Sequence, residues 1–146
     1  MRSAELDNLA RIGKLKREPP TDDEIAGLLR SADERLADAR RVELSYSSRF
    51  DLAYNAAHAL ALVALRRAGY RSENRYLVFQ TLPHTVGLDA TKWRVLAKAH
   101  ERRNLAEYEG HLERDDRLLA EVIAVSGELQ GLVAAPRSQA KPGARP

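Results

Sequence analysis

From Thr21 to Val133 the apolar residues return at steps of three and four, and no stretch alternates in the two-residue rhythm of a strand. Ile25, Leu28, Leu29, Ala32, Leu36 and Ala39 make one stripe, and Leu52, Ala56, Ala59, Leu60 and Val63 a second. Trp93, Leu96, Ala97 and His100 make a third, and Leu118, Val122, Val125, Leu129 and Val133 a fourth. Each stripe is one face of a helix that is stable only when that face is covered. Short connections leave mutual covering as the simplest solution, so the expected fold is all-α, an up-and-down four-helix bundle. Composition agrees: 44 of 146 residues are Leu or Ala, aromatic residues are 5%, and β-branched residues are sparse.

The boundaries follow from caps and breakers. Residues 1–20 are expected to form a short N-terminal helix and a linker, peripheral to the bundle, because Pro19 and Pro20 stop the pattern. The bundle is expected to cover residues 21–134. Thr21 and Asp22 offer N-caps to a helix reaching about Glu43, and Ser45 to Ser48 read as a turn. Ser48 to Asp51 loosely imitate a capping box before a helix running to Ala68, with Gly69 beyond it. An extra short helix is expected from Glu73 to Leu82, then a loop from Pro83, a helix from Asp89 to Gly110, and a last helix from about Leu112 to Val133. The tail, residues 135–146, is rich in Pro, Gly and charge, which predicts disorder.

A single domain of this length holds a core without staples. The absence of Cys excludes disulfides, thiol catalysis and zinc-thiolate or iron-sulfur sites, and the expected compartment is the reducing cytoplasm. The first residues lack the apolar run of a signal peptide, and the apolar stretch Ala53 to Leu65 is too short to span a bilayer, so no membrane partner is expected. The chain has no glycine-rich phosphate loop, G-x-S-x-G, H-E-x-x-H or EF-hand pattern, and neither a cofactor nor a metal is expected. The net charge of +3 is uneven, with the basic excess in residues 46–110. Arg outnumbers Lys 19 to 5, which suits bidentate contacts to phosphate, although coding bias explains it as simply.

One helix breaks its own pattern. After Asp89, the residues Trp93, Ala97, His100, Asn104 and Tyr108 follow one another along one face, with Arg103 and Glu107 beside them. A face that begins as core and continues as His, Arg, Asn and Tyr either leaves the core, with Arg103 and Glu107 as an ordinary i,i+4 ion pair, or meets something polar.

The segment RRNLAEYEG, Arg102 to Gly110, resembles the motif helix of HEPN domains (higher eukaryotes and prokaryotes nucleotide-binding), in which an Arg, usually with a polar follower, precedes a His by four to six residues. Arg103 and Asn104 match its start, and Tyr108 stands where the shortest form has His. This RN-x-x-x-Y form resembles a subset of small bacterial HEPN proteins. The segment from Leu36 to Tyr70 is similar to the family's first helical hairpin, and the likeness extends over residues 21–133. The resemblance implies a helical bundle, often a homodimer with two motif helices side by side. It also implies a toxin-type or defence-type protein acting on RNA as a metal-independent endoribonuclease, with a cognate antitoxin as a partner, or else a module that binds RNA or a nucleotide without cutting.

The implied chemistry can be weighed residue by residue. A guanidinium at Arg103 can grip two phosphate oxygens as negative charge develops. Asn104 can orient a phosphate or a ribose hydroxyl. An unperturbed phenol titrates near ~10, so Tyr108 can donate a proton but is a poor base. Another group must act as base, and His100, His111 and His58 are the candidates, with Glu107 beside Arg103 in support, although each histidine also reads as a satisfied structural or surface residue. His100 lies one turn before Asn104, His111 just past Gly110, and His58 on the Ala-rich second helix near Tyr54 and Asn55. Arg66, Arg67, Arg71 and Arg75 are a candidate basic edge for RNA, or a solvated helix end.

Overall fold

The computed structural model describes residues 3–134. The chain is an all-α bundle. Its long helices are α2 (Asp22–Ala39), α3 (Tyr46–Arg67), α6 (Ala90–Glu109) and α7 (Asp116–Ala134). Short helices α1 (Ala4–Arg11), α4 (Arg75–Gln80) and α5 (Leu82–Thr85) surround them, and the two-residue strands β1 (Lys16–Arg17) and β2 (Tyr70–Arg71) pair antiparallel.

Local chemistry sets the helix ends. Thr21 and Glu24 form a reciprocal capping box at the start of α2, each side chain bonding the other's backbone N–H. The cap of α3 is Ser45 rather than Ser48: the Ser45 hydroxyl accepts the Ser48 N–H at 3.2 Å, so the expected turn is already the first turn of the helix. Helix α7 begins at Asp116, later than the expected start at about Leu112, because the Asp115 carboxylate accepts the Leu118 N–H at 3.0 Å and caps it there. Helix α5 lies inside the expected loop and carries Pro83 in its first turn, where proline's missing N–H does no harm. The expected disorder of residues 135–146 lies outside the described residues.

Helix α3 runs through the core, packing against α2, α7, α6 and α4. Its small side chains make that possible: Ala53, Ala56, Ala57, Ala59, Ala61 and Ala64 are all buried, letting neighbouring backbones come close. Phe50, Tyr54 and Phe79 supply the bulk around them.

The N-terminal segment, expected at the periphery, is part of this core. Leu6 and Leu15 are buried in it, and β1 is fixed to the β2 edge, with the Glu18 N–H bonded to the Gly69 carbonyl at 2.9 Å. The clamp is Arg66, only 1% exposed. Its guanidinium donates to Glu24 Oε2 at 2.7 Å and Glu18 Oε2 at 3.1 Å, and to the carbonyls of Glu18, Pro19 and Tyr70. Arg66 is therefore an interior strut and no part of a solvated basic edge, while Arg67 bonds the Val133 carbonyl at the end of α7.

Candidate functional site

Asp51, Tyr54, Asn55 and His58 fall at steps of three and four along α3 and interrupt its alanines with a polar line. That line faces α6, where His100, Arg103 and Asn104 occupy the corresponding side. The α4 segment adds Arg75 and Tyr76.

His100 is the centre of the arrangement. Its Nδ1 lies 2.8 Å from the Tyr54 hydroxyl, and its Nε2 lies 3.0 Å from the Asn104 side-chain nitrogen. An amide NH₂ only donates, so Nε2 accepts from Asn104, Nδ1 carries the proton, and the ring is neutral. Its surroundings favour that form: partial burial, then the charges of Arg103 and Arg75, hold the imidazole below the ordinary histidine range. The Tyr54 hydroxyl is shifted the other way, above the usual phenol value, chiefly by burial, and so remains a neutral partner at physiological pH.

Two guanidinium groups lie against the Tyr54 ring, Arg103 with its central carbon 4.9 Å from the centroid and Arg75 at 5.6 Å. Arg75 also donates to Asn55 Oδ1 at 3.0 Å. Among the described residues Arg103 has only loose carboxylate partners, Asp51 at 3.4 Å and Glu107 at 3.8 Å. The expected Arg103–Glu107 pair therefore exists, but it is long and solvent-exposed, and Arg103 keeps donors free for a ligand.

Beside Arg103 opens a cleft of about 390 Å³ lined by Ser47, Asp51, Arg103, Ala106, Glu107, Gly110, His111 and Leu112. Gly110 ends α6 in the left-handed conformation, φ 82°, and the reversal carries His111 back to the cleft that Arg103 lines.

His58 lies in the same polar line, edge-on to Phe79 with ring centroids 6.0 Å apart. Its Nε2 is enclosed and has no hydrogen-bond partner among the described residues. Burial, with Arg75 and His100 nearby, pushes this imidazole down to about 4. Tyr108 stands apart: it is 91% exposed, and it is absent from the residues lining the cleft. Among the described residues no group of three or more His, Asp or Glu is placed to hold a metal ion, and no helix is long and apolar enough to cross a membrane.

The structure thus brings together His100, Arg103 and Asn104, and places Glu107 and His111 on the adjoining cleft. Sequence reasoning missed the part played by Tyr54, Asp51 and Arg75. The available signal was the polar line in the alanine-rich helix, which has the same period as the His100–Asn104 stripe that it meets. Phe79 is fully buried and Trp93 partly so, which makes both core residues. No protein-family model, curated protein or solved structure matches the chain.

Proposed function

We propose that the protein acts on RNA at the Arg103 site, as a HEPN-like metal-independent endoribonuclease of toxin or defence type. The observation that carries this reading is the His100 ring, held neutral between the Tyr54 hydroxyl and the Asn104 amide beside a guanidinium with unused donors. Cleavage would proceed by attack of a ribose 2′-oxygen on the adjacent phosphorus. The base takes the 2′-hydroxyl proton, the 5′-oxygen leaves with a proton from an acid, and the product ends in a 2′,3′-cyclic phosphate. His100 suits the base, because Tyr54 fixes its tautomer as the orienting group of a catalytic histidine must, and the exposed Asn104 can turn from Nε2 to the substrate. Arg103 suits the phosphorane charge, and His111 reaches the same cleft as a candidate acid.

Tyr108 finds no place in this chemistry within one protomer. A homodimer that laid α6 against its copy would cover Tyr108 and Leu105, which are 91% and 50% exposed.

A second reading has its own observation. Both nitrogens of His100 are already engaged, which also fits a module that binds RNA, a nucleotide or a cognate antitoxin without cutting. The two separate by incubation of mixed RNA in EDTA with wild type, Arg103→Ala, His100→Gln and Tyr108→Phe. The ribonuclease reading expects cyclic-phosphate ends from wild type, a loss of about 10²-fold or more in both Arg103→Ala and His100→Gln, and a smaller change in Tyr108→Phe. Intact RNA with a folded wild-type protein refutes it in favour of binding.

A further inference from the structure

The β1–β2 pair sets Lys16 directly opposite Arg71. Like charges in that position weaken a ladder unless something neutralises them. Arg71 has Glu18 at 2.9 Å, but the ammonium groups of Lys14 and Lys16 have no ion-pair partner among the described residues.

These three cations line a cleft of about 600 Å³ together with Gly13, Leu15, Ser72, Glu73 and Asn74. The Ser72 oxygen accepts the Asn74 N–H at 3.0 Å, leaving its own O–H free to donate. Glu73 is the one carboxylate in the lining. The wall is ordered: Gly13 takes the left-handed turn, φ 82°, that ends α1, Leu15 is buried beneath, and Arg66 grips the carbonyls of Glu18 and Pro19. The buried arginine thus holds the lysine-bearing strand across from Arg71.

A smaller cleft, about 250 Å³, shares Arg71, Ser72 and Glu73 with the first and adds Arg75 and His58, with the Glu24 carboxylate, already bound to Arg66, in its wall. Arg75 lies on the same Tyr54 ring that Arg103 covers. The five cations are thus linked stepwise: Arg103 and Arg75 through the Tyr54 ring, Arg75 and Arg71 through the smaller cleft, and Arg71 with Lys16 and Lys14 through the larger one.

We propose that the Lys14–Lys16–Arg71 cleft binds phosphate, and that with Arg75 it extends the Arg103 site into a track for the backbone of a single-stranded RNA. The track rests on the reading that the Arg103 site acts on RNA. Five cations exceed what a single scissile phosphate needs, and their spread over three clefts fits a chain of phosphates. Arg71 and Arg75 offer forked donors, while Lys14 and Lys16 act as point charges where the strand leaves the protein.

The test is fluorescence anisotropy with a labelled 2′-O-methyl 12-mer, which cannot be cleaved through its 2′-oxygen, and with a labelled trimer. Both are titrated against wild type, Arg103→Ala and Lys14→Gln/Lys16→Gln over a salt series. Both lysines are exposed, so the double variant should fold, and circular dichroism checks this. Loss of two phosphate contacts should lower the slope of log K against log salt by about 1.4, which makes 12-mer binding roughly 25-fold weaker at 0.1 M salt. The trimer should weaken with Arg103→Ala and not with the double lysine variant. A double variant with wild-type affinity and slope on the 12-mer overturns the track, while Arg103→Ala still reports on the Arg103 site. Should wild type bind no RNA, both the track and that reading fail. Labelled ATP then decides the cleft alone: binding to wild type that the double variant loses upholds a phosphate site, and no binding overturns it.

Discussion

The histidine with an unpartnered nitrogen makes a quantitative claim about acid stability. His58 is held neutral in the fold, its imidazole pushed from the ordinary 6.5 down to about 4, first by burial and then by Arg75 and His100. Between those two values the unfolded chain binds a proton that the folded chain refuses. Stability contributed by neutral His58 is therefore complete above pH 6.5 and falls as pH drops, by about 1.4 kcal/mol per pH unit in mid-window. The loss is about 2 kcal/mol at pH 5 and about 3 kcal/mol by pH 4. Other groups must be kept out of the comparison. His100 is shifted in the same direction, and the depressed carboxylates of Glu24 and Asp115 add acid sensitivity only below their ordinary ranges. Urea unfolding of wild type and His58→Leu at pH 8, 6.5 and 5 isolates the one imidazole, because His100 and the carboxylates are present in both proteins. The variant should gain about 2 kcal/mol on wild type between pH 8 and pH 5. A difference that stays constant within about 0.5 kcal/mol over that range would refute the burial argument.

Arg66→Ala should cost about 3–5 kcal/mol by denaturant unfolding, since it empties a buried position and removes one donor group from two carboxylates and three carbonyls at once, and Arg66→Lys should recover only part because an ammonium cannot fork. A loss under about 1 kcal/mol for Arg66→Ala would show that the N-terminal segment does not depend on this clamp. Arg103→Ala should change stability by less than about 1 kcal/mol, because its carboxylate partners are exposed and long, so any loss of activity or RNA affinity in that variant reports on the site. Thermal melts of the two proteins check this. Gly110→Ala should cost about 1 kcal/mol from backbone strain alone, since φ is 82° and an added Cβ would meet nothing within 4 Å; an unchanged melting temperature would contradict that geometry.

How much of this was legible in the sequence follows from the range of each interaction. Helical stripes are local, and the four long helices stand where the periodicity places them. Their ends depend on single hydrogen bonds, which is why α3 starts at the Ser45 cap and α7 waits for Asp115. The N-terminal segment was misplaced at the periphery because nothing local marks Leu6 and Leu15 as core, or Lys16 and Arg17 as strand. A two-residue strand has no period to detect, and Arg66 reads like any helix-end arginine until Glu18 and Glu24 are brought to it.

The site divides in the same way. Along a helix that turns about 100° per residue, His100, Asn104 and Tyr108 form one slowly drifting line, about 40° further round at each step. That drift was visible in the sequence. Where it crosses from the bundle into solvent was not, because the crossing is decided by the other helices: Tyr54 and Tyr76 stand against His100, while Tyr108, two turns on, is 91% exposed. A tyrosine at position 108 is thus a poor substitute for a catalytic histidine on two counts, its chemistry and its place. His100, three residues before Arg103 rather than after it, has neither defect: a short distance back along the same face, Tyr54 orients its ring beside the guanidinium, and burial with the charges of Arg103 and Arg75 keeps it neutral. If cleavage is found, the residue that sets its pH dependence should be this one, and the acidic limb should move when the charge of Arg75 is removed by Arg75→Gln, which relieves one of the two cations that keep the imidazole unprotonated. Because removing a positive neighbour makes protonation easier, that limb should shift to higher pH; a shift to lower pH, or none, would assign the base elsewhere.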